Sequence, residues 1–327
     1  MMKKTLVALA AVAVTGGAFA QATLTGAIGY GYKQITSTSN VVTGGMGVAD
    51  ASANLGISED LGGGMSVSGT MGFYAPGNSS AVLGNDVKLG VKTASGLAVN
   101  FASSYGAHYL TGGIAGAGAN FDAGLDGKVL GSRSLADSVT VSIPLMEGAT
   151  LSASHAEPLV SESGTGAASY TAKQRYNTLT LGYKAGALVA DVGFRSYDAQ
   201  LSTSTTSATQ KTRASASYDL GMAKIGAGTD TTNYAMGDSY TESLVGITIP
   251  LGSLTVGAQF GAMSTSGYTT NYDQTGSIVG AQYNLSKRTY MTAQYYSFTG
   301  GFTASTATST AGTSNGTGAV FTIYNTF

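Results

Sequence analysis

The chain carries few side chains of the kinds that perform covalent or metal chemistry. It has two histidines, His108 and His155, and no cysteine among its 327 residues. The lack of cysteine excludes thiol catalysis, disulfides and thiolate metal sites, and neither histidine has neighbours at metal-ligand spacing. His155 lies in an alternating segment without an orienting acid or an oxyanion motif. We therefore predict no catalytic residue, no metal and no cofactor.

Charged side chains, which could bind or steer ions, are scarce but not randomly placed. They make up 10% of the chain, against roughly 25% in ordinary soluble domains. Residues 1–20 contain two of the 16 basic residues and no acid, so the rest holds 14 basic and 17 acidic residues, a formal charge of −3. Without a basic run to neutralise phosphates, nucleic acid is not a predicted partner.

Two-residue alternation dominates the chain after residue 20. From Thr23 to Lys33 the even positions are apolar or aromatic, as at Leu24, Ile28 and Tyr30, and the odd positions are small or polar. A helix would scatter these apolar residues around its circumference, so the pattern indicates strands with two different faces. The same pattern returns around residues 86–92, 188–195 and 254–261.

The polar face of these strands carries most of the basic residues. The bases predicted for this face are Lys33, Lys88, Lys92, Lys184, Arg195, Lys211, Arg213 and Lys224, and the acids are Asp86, Asp191, Asp230 and Glu242. Eight bases against four acids make this face positive, although the chain beyond residue 20 is negative overall.

Connectors of two kinds alternate between the strands. The short ones lie near residues 60–64, 93–96, 144–148, 185–187, 219–221, 250–252 and 284–287. The longer polar ones lie near residues 34–50, 75–85, 106–134, 157–173, 198–209, 232–239, 264–274 and 299–315. Seven short and eight long connectors join sixteen antiparallel strands, and both chain ends then fall on the side of the short turns.

A chain with little charge and no run of 18 apolar residues after residue 20 is unusual for a soluble protein. It is typical of a closed barrel with lipid outside and water inside, because closure removes the unpaired sheet edges that hydrocarbon penalises. Residues 1–20 add a basic start, an apolar stretch and an Ala18–Ala20 cleavage site, which indicate a secretory signal and a barrel domain over residues 21–327.

The run Tyr283–Thr289 (YNLSKRT), followed by Tyr290 and Tyr295–Tyr296, resembles the penultimate hairpin of the general diffusion porins of Gram-negative bacteria, especially the β-proteobacterial type. With the signal and the terminal Phe327, the resemblance covers the whole chain after residue 20. It implies a sixteen-stranded antiparallel transmembrane β-barrel with short periplasmic turns and long extracellular loops. The implied function is passive diffusion of small hydrophilic solutes and ions across the outer membrane.

The resemblance also implies a homotrimer in outer-membrane lipid and a third loop, about residues 106–134, folded into the channel as a constriction. The family's Pro-Glu-Phe-Gly-Gly-like loop tip is replaced here by Gly112–Gly118. The predicted constriction residues are Lys88, Arg195, Lys211 and Arg213 facing Asp122 and Asp126, with Arg133 as the candidate for clamping the loop against the wall. We expect a mild anion preference.

The last strand resembles the signal that the barrel-assembly machinery recognises, with Phe327, Ile323 and Phe321 on the lipid face; Asn325 departs from it. Three alternatives stay open at this point. A secreted β-rich adhesin would share the composition but should show a fixed repeat. A specific substrate channel would need lumen aromatics, and a lipid-hydrolysing barrel would need His155 on its outer wall.

Overall fold

The computed structural model describes residues 21–37, 42–75, 83–106, 134–158, 174–198, 208–267, 273–299 and 316–327. These residues form sixteen strands that pair with their chain neighbours, and the first pairs with the last, so the sheet is a closed antiparallel barrel. No helix among these residues is long and apolar enough to cross a membrane. The predicted fold class is confirmed.

The strands, in chain order, are β1 (Gln21–Ser37), β2 (Val42–Gly62), β3 (Met65–Tyr74), β4 (Leu83–Lys92), β5 (Ala98–Gly106), β6 (Ser134–Met146), β7 (Ala149–Pro158), β8 (Tyr176–Ala185), β9 (Leu188–Tyr197), β10 (Ala208–Asp219), β11 (Lys224–Tyr234), β12 (Ser239–Leu251), β13 (Leu254–Ser266), β14 (Asp273–Asn284), β15 (Thr289–Thr299) and β16 (Gly316–Thr326).

The barrel closes where the last residue meets the first strand. The Gly26 N–H donates to the Phe327 carbonyl at 3.0 Å, and the Phe327 N–H donates to the Gly26 carbonyl at 3.0 Å. Register continues along the pair, with Tyr30 opposite Ile323 and Lys33 opposite Val320. Every strand therefore has two partners among the described residues, so the barrel has no edge strand.

All seven predicted short turns are present at one end of the barrel. Most of them contain a glycine with positive φ, a conformation that other residues adopt only with strain. The last turn works differently, because the Ser286 hydroxyl oxygen accepts hydrogen bonds from the Arg288 and Thr289 N–H groups at 3.1 and 2.9 Å. The motif that carries the family resemblance thus holds a turn through its serine side chain.

Two of the predicted long connectors are wrong. The stretch 34–50 is mostly strand, because β1 runs to Ser37 and β2 starts at Val42. Its glycines are typical of a loop, which makes the stretch look like a connector. A β-bulge also interrupts the two-residue alternation, because Gly29 pairs with Asp50 and Tyr30 pairs with Val48, so Ala49 has no partner on β1. The stretch 232–239 is a tight turn, since β11 ends at Tyr234 and β12 begins at Ser239.

The two faces of the wall differ as the alternation predicts. Large apolar side chains on the outer face are exposed where lipid would contact them, for example Leu24 at 62%, Val192 at 60% and Phe321 at 51%. At roughly 25 cal/mol per Å² of apolar surface, this face favours hydrocarbon over water. The inner face is rich in Ser, Thr, Gln, Gly and charged residues.

The turn between β6 and β7 provides a test of how tightly the short turns are built. Gly148 has φ +78°, and a Cβ there would lie 2.5 Å from the Lys184 carbonyl oxygen. We expect Gly148→Ala to lower the free energy of unfolding by about 3 kcal/mol, since left-handed strain costs ~1–2 kcal/mol and steric overlap adds ~1–3 kcal/mol. Urea unfolding of barrels refolded in lipid vesicles, followed by tyrosine fluorescence, measures the loss.

Gly186→Ala is the matched control. This glycine also has positive φ, at +54°, but a Cβ at its position would have no atom within 4 Å, so only the strain of ~1–2 kcal/mol remains. Equal losses for the two variants would contradict the close approach of β8 to the turn.

Candidate functional site

Three of the predicted constriction residues come together on the inner wall. Arg195 on β9 is the register partner of Lys211 on β10, and Arg213 lies two residues further along β10. The Arg195 guanidinium carbon lies 3.9 Å from the ring centre of Tyr176, and its Nε donates to the Thr178 hydroxyl at 3.0 Å. Stacking and hydrogen bonding therefore hold this cation against the wall.

Lys211 and Arg213 belong to a charge cluster with Asp230 and Glu242, in which only Arg213 is partly exposed. The Arg213 Nη2 and Lys211 Nζ lie 2.8 and 3.0 Å from the two carboxylate oxygens of Asp230, which has no exposed surface. Glu242, the register partner of Asp230 on β12, is also fully buried. Two cations and two carboxylates balance one another, so the cluster adds little net charge to the lumen.

The fourth predicted base lies elsewhere. Lys88 is on β4, five strands from β9, and its Nζ lies 3.1 Å from the carboxylate of Asp86. The structure therefore does not bring Lys88 to the arginines, and its charge has a local counter-charge. Asp122, Asp126 and Arg133 lie outside the described residues.

Sequence reasoning missed three lumen acids and the way in which the charges pair. Asp219 on β10 is the register partner of Lys224, and Asp60 on β2 pairs with Ser66, whose other partner is Lys92, so both acids share the inner face with these lysines. Asp50 shares the inner face with its register partner Gly29, and the glycines of residues 34–50, which favour a loop, conceal it. The cross-strand pairing of Arg213 with Asp230 depends on the register of β10 with β11, which no single strand reveals. Counting charges on one face therefore overstates the cationic excess.

An apolar area on the inner wall was not predicted either. Leu244, Met263 and Ile278 lie on the inner face of β12–β14, and each is at most 2% exposed. Tyr296 and Val320 continue this area onto β15 and β16, at 0% and 3% exposure. We call these five residues the inner patch. Side chains on one face of a sheet reach such burial only when atoms lie above the sheet as well as beside it.

His155 faces outward, as predicted from its position on the apolar face. Its Nδ1 lies 2.9 Å from the Asn177 side-chain oxygen, and its Nε2 lies 3.6 Å from Glu157, which also pairs with Arg175 at 3.3 Å. A Ser–His hydrolase needs a hydroxyl at the second ring nitrogen. Among the described residues a carboxylate takes that place.

The predicted assembly residues share one face of β16 and of the residue that follows it, Phe327. Phe321, Ile323 and Phe327 are 43–51% exposed on the outer wall. Asn325, on the same face, donates from its Nδ2 to the Thr289 hydroxyl at 2.8 Å. The polar residue at this position is therefore satisfied across the strand pair rather than left bare toward lipid.

Comparisons with known proteins agree with this geometry. A family model described as Gram-negative porin matches residues 5–303. No curated protein matches the chain.

Solved structures with the same fold include Salmonella typhi OmpF in complex with daunomycin, at 12% identity, TM-score 0.68, 94% of this chain and 97% of that one. Outer-membrane-expressed OmpT of Vibrio cholerae has 15% identity and TM-score 0.65, with 96% and 99% covered. A mutant of Rh. blastica porin has 12% identity and TM-score 0.63, with 94% and 100% covered.

At these identities the structures show the fold, whereas the family match extends over nearly the whole chain. A closed sixteen-stranded wall with an apolar outside and a polar inside has the form that the family predicts. The chain belongs to the Gram-negative porins, and its barrel is an outer-membrane channel for the diffusion of small hydrophilic solutes.

Proposed function

We propose that this porin works as a homotrimer, that it mildly prefers anions, and that residues 1–20 are removed during export. The observation that carries the anion preference is the composition of the described inner wall. It holds the eight predicted bases and seven acids, once Asp50, Asp60 and Asp219 are added to the four predicted ones. A fixed positive excess in an aqueous pore raises the local anion concentration.

The preference should be mild because much of the charge is compensated. Lys88 has Asp86 beside it, and Lys211 and Arg213 share Asp230. The remaining bases include Lys184 and Arg195, at different heights of the barrel. In 0.1 M salt the Debye length is about 10 Å, so only charges that line a narrow part of the pore should affect passing ions strongly.

We further propose that the connector of residues 106–134 forms the narrow part by covering the inner patch. The connector joins β5 to β6, and β13 and β14 lie eight strands further around the barrel, on the opposite side. With strands ~4.8 Å apart and tilted ~40°, the barrel is about 30 Å across. The connector is long enough to cross that width and return, at up to ~3.3 Å per residue.

The trimer and the assembly signal are supported by likeness rather than by a visible interface. One Vibrio cholerae OmpT structure is described as a trimer form. Phe327, Ile323 and Phe321 present the aromatic and aliphatic face that we propose the barrel-assembly machinery recognises. Outer-membrane lipid is the medium for the remaining outer wall.

We propose that the chain is not an enzyme. The outward His155 contacts Asn177 and Glu157, an arrangement that orients an imidazole but supplies no nucleophile. The barrel wall therefore selects passing solutes by their size, charge and polarity alone.

The covering of the inner patch can be tested by chemical labelling, because the chain has no cysteine of its own. A single cysteine in an Ile278→Cys variant should resist a water-soluble maleimide. It should become reactive when residues 110–130 are replaced by a short Gly-Ser linker, since water then reaches the patch. Mass spectrometry of the labelled protein in lipid vesicles gives the modified fraction.

Lys88→Cys is the control for this experiment. Its side chain is 53% exposed on the same inner face, so it should be labelled with and without the connector. Rapid labelling of the Ile278→Cys variant in the intact chain would show that the patch is open to water and that the connector lies elsewhere.

The ion preference is tested by reversal potential in a planar bilayer with a tenfold KCl gradient. We expect the wild type to favour chloride slightly, and Arg195→Glu to shift the reversal potential toward potassium. Lys184→Glu changes the charge by the same amount, but it lies at the short-turn end of β8, where the wider pore leaves more screening. Its shift should be several times smaller.

Two results would contradict this account. A wild type that prefers potassium would refute the anion preference. Equal shifts for the two variants would refute a narrow region near Arg195.

A further inference from the structure

We propose that a recess in the inner wall on β6–β10 binds small polyhydroxylated carboxylates, the class to which sugar acids belong, as they pass through the channel. The inference rests on the proposed diffusion function and adds a solute class to it. The recess has a volume of about 280 Å³, at the lower limit of the ~300–1,000 Å³ of typical small-molecule pockets. It therefore suits one small solute rather than a drug-sized molecule.

The recess exists because a glycine interrupts a row of side chains. Gly193 on β9 lies between Thr180 on β8 and Arg213 on β10, its two register partners. A Cβ at this position would meet the Thr180 hydroxyl at 3.4 Å, which is ordinary contact. The wall thus tolerates a side chain here without strain, and the space is a feature of this sequence that a larger residue would fill.

Cationic groups gather at one end of the recess. Arg195, Lys211 and Arg213 all line it, and the only acid among its lining residues is Asp191. Because Lys211 and Arg213 form ion pairs with the buried Asp230, Arg195 is the cation on which the proposed site chiefly depends. Stacking on Tyr176 and the bond to Thr178 fix the Arg195 guanidinium before any solute arrives. A pre-oriented planar guanidinium matches a carboxylate better than it matches a spherical ion, because it can donate two parallel hydrogen bonds.

The remaining lining offers hydrogen bonds to hydroxyl groups. Five hydroxyl side chains line the recess: Ser138, Thr140, Ser154, Thr178 and Thr180. Asp191 lies four residues before Arg195 on the same face of β9, about 13 Å away at ~3.3 Å per residue, and it already accepts a hydrogen bond from Ser215. A solute with a carboxylate at the Arg195 end and hydroxyl groups toward the Asp191 end would hydrogen-bond to both ends of the recess.

This arrangement distinguishes the proposed class from its simpler relatives. A short carboxylate such as acetate would meet the guanidinium but leave the hydroxyl groups without a partner. A neutral polyol such as sorbitol would meet the hydroxyls but gain nothing from the cations. The recess therefore favours solutes that carry a carboxylate and hydroxyl groups together, a preference that diffusion through an open pore does not provide.

The test uses the full-length porin in a planar bilayer in KCl, with gluconate, acetate or sorbitol added on the side of the long connectors. Gluconate should block the current reversibly at millimolar concentration, with excess current noise. Acetate and sorbitol should need concentrations at least tenfold higher for the same block. Equal block by acetate, or no block by gluconate in a conducting channel, would overturn the proposal.

Variants then locate the site. Arg195→Gln should weaken gluconate block about tenfold, the effect of losing one charge-assisted hydrogen bond, and Gly193→Leu should weaken it similarly by filling the recess without changing charge. Lys184→Gln removes the same charge at the barrel end and should leave the block within twofold of wild type. If Lys184→Gln and Arg195→Gln have equal effects, the general field of the pore explains the block and the recess does not.

Two further measurements keep the proposal decidable. If Gly193→Leu gives no folded barrel, Thr180→Val removes one lining hydroxyl at nearly constant size and should weaken block about threefold. Calorimetric titration of gluconate into the detergent-solubilised porin reports binding without conduction. Binding in a protein that does not conduct would refute the diffusion function and retain the site, whereas conduction without binding would refute the site alone.

Discussion

The requirement that every backbone N–H and C=O be paired in hydrocarbon determines this structure more than any other interaction. A strand in lipid has no water to form hydrogen bonds with, so each unpaired backbone group costs several kcal/mol. The chain meets the requirement by pairing all sixteen strands with two neighbours and by joining Gly26 to Phe327. Closure in turn creates an interior too wide for side chains to fill, and the channel follows from it.

Once the barrel is closed, the inner wall must hold charged groups without opening the sheet. Lys211, Arg213, Asp230 and Glu242 do so as a set in which the charges balance and only Arg213 is partly exposed. Removing one member of such a set usually costs several kcal/mol because its partner is left buried and uncompensated. The charge that solutes meet is therefore smaller than the number of basic residues suggests. Arg195, stacked on Tyr176, contributes by its fixed orientation as much as by its charge.

Much of the fold could be predicted from the sequence, because alternation and turn chemistry are local signals. The short turns near Gly148 and Ser286 and the outward faces of β9 and β13 follow from neighbouring residues alone. The strands at 34–50 were hidden by glycines and by the bulge at Ala49. The pairing of Arg213 with Asp230 and the inner patch around Ile278 could not be predicted, since both depend on the register between strands and on what lies above the wall.

The central claim is that alternate side chains on each strand face two different solvents. Nitroxide spin labels placed one at a time from residue 188 to residue 197 on β9 test it most directly, in barrels reconstituted into lipid vesicles. Relaxation by oxygen, which concentrates in lipid, should peak at positions 190, 192 and 194, and relaxation by a water-soluble nickel complex should peak at 191, 193 and 195. Accessibility without a two-residue period, or high oxygen relaxation at every position, would contradict the account.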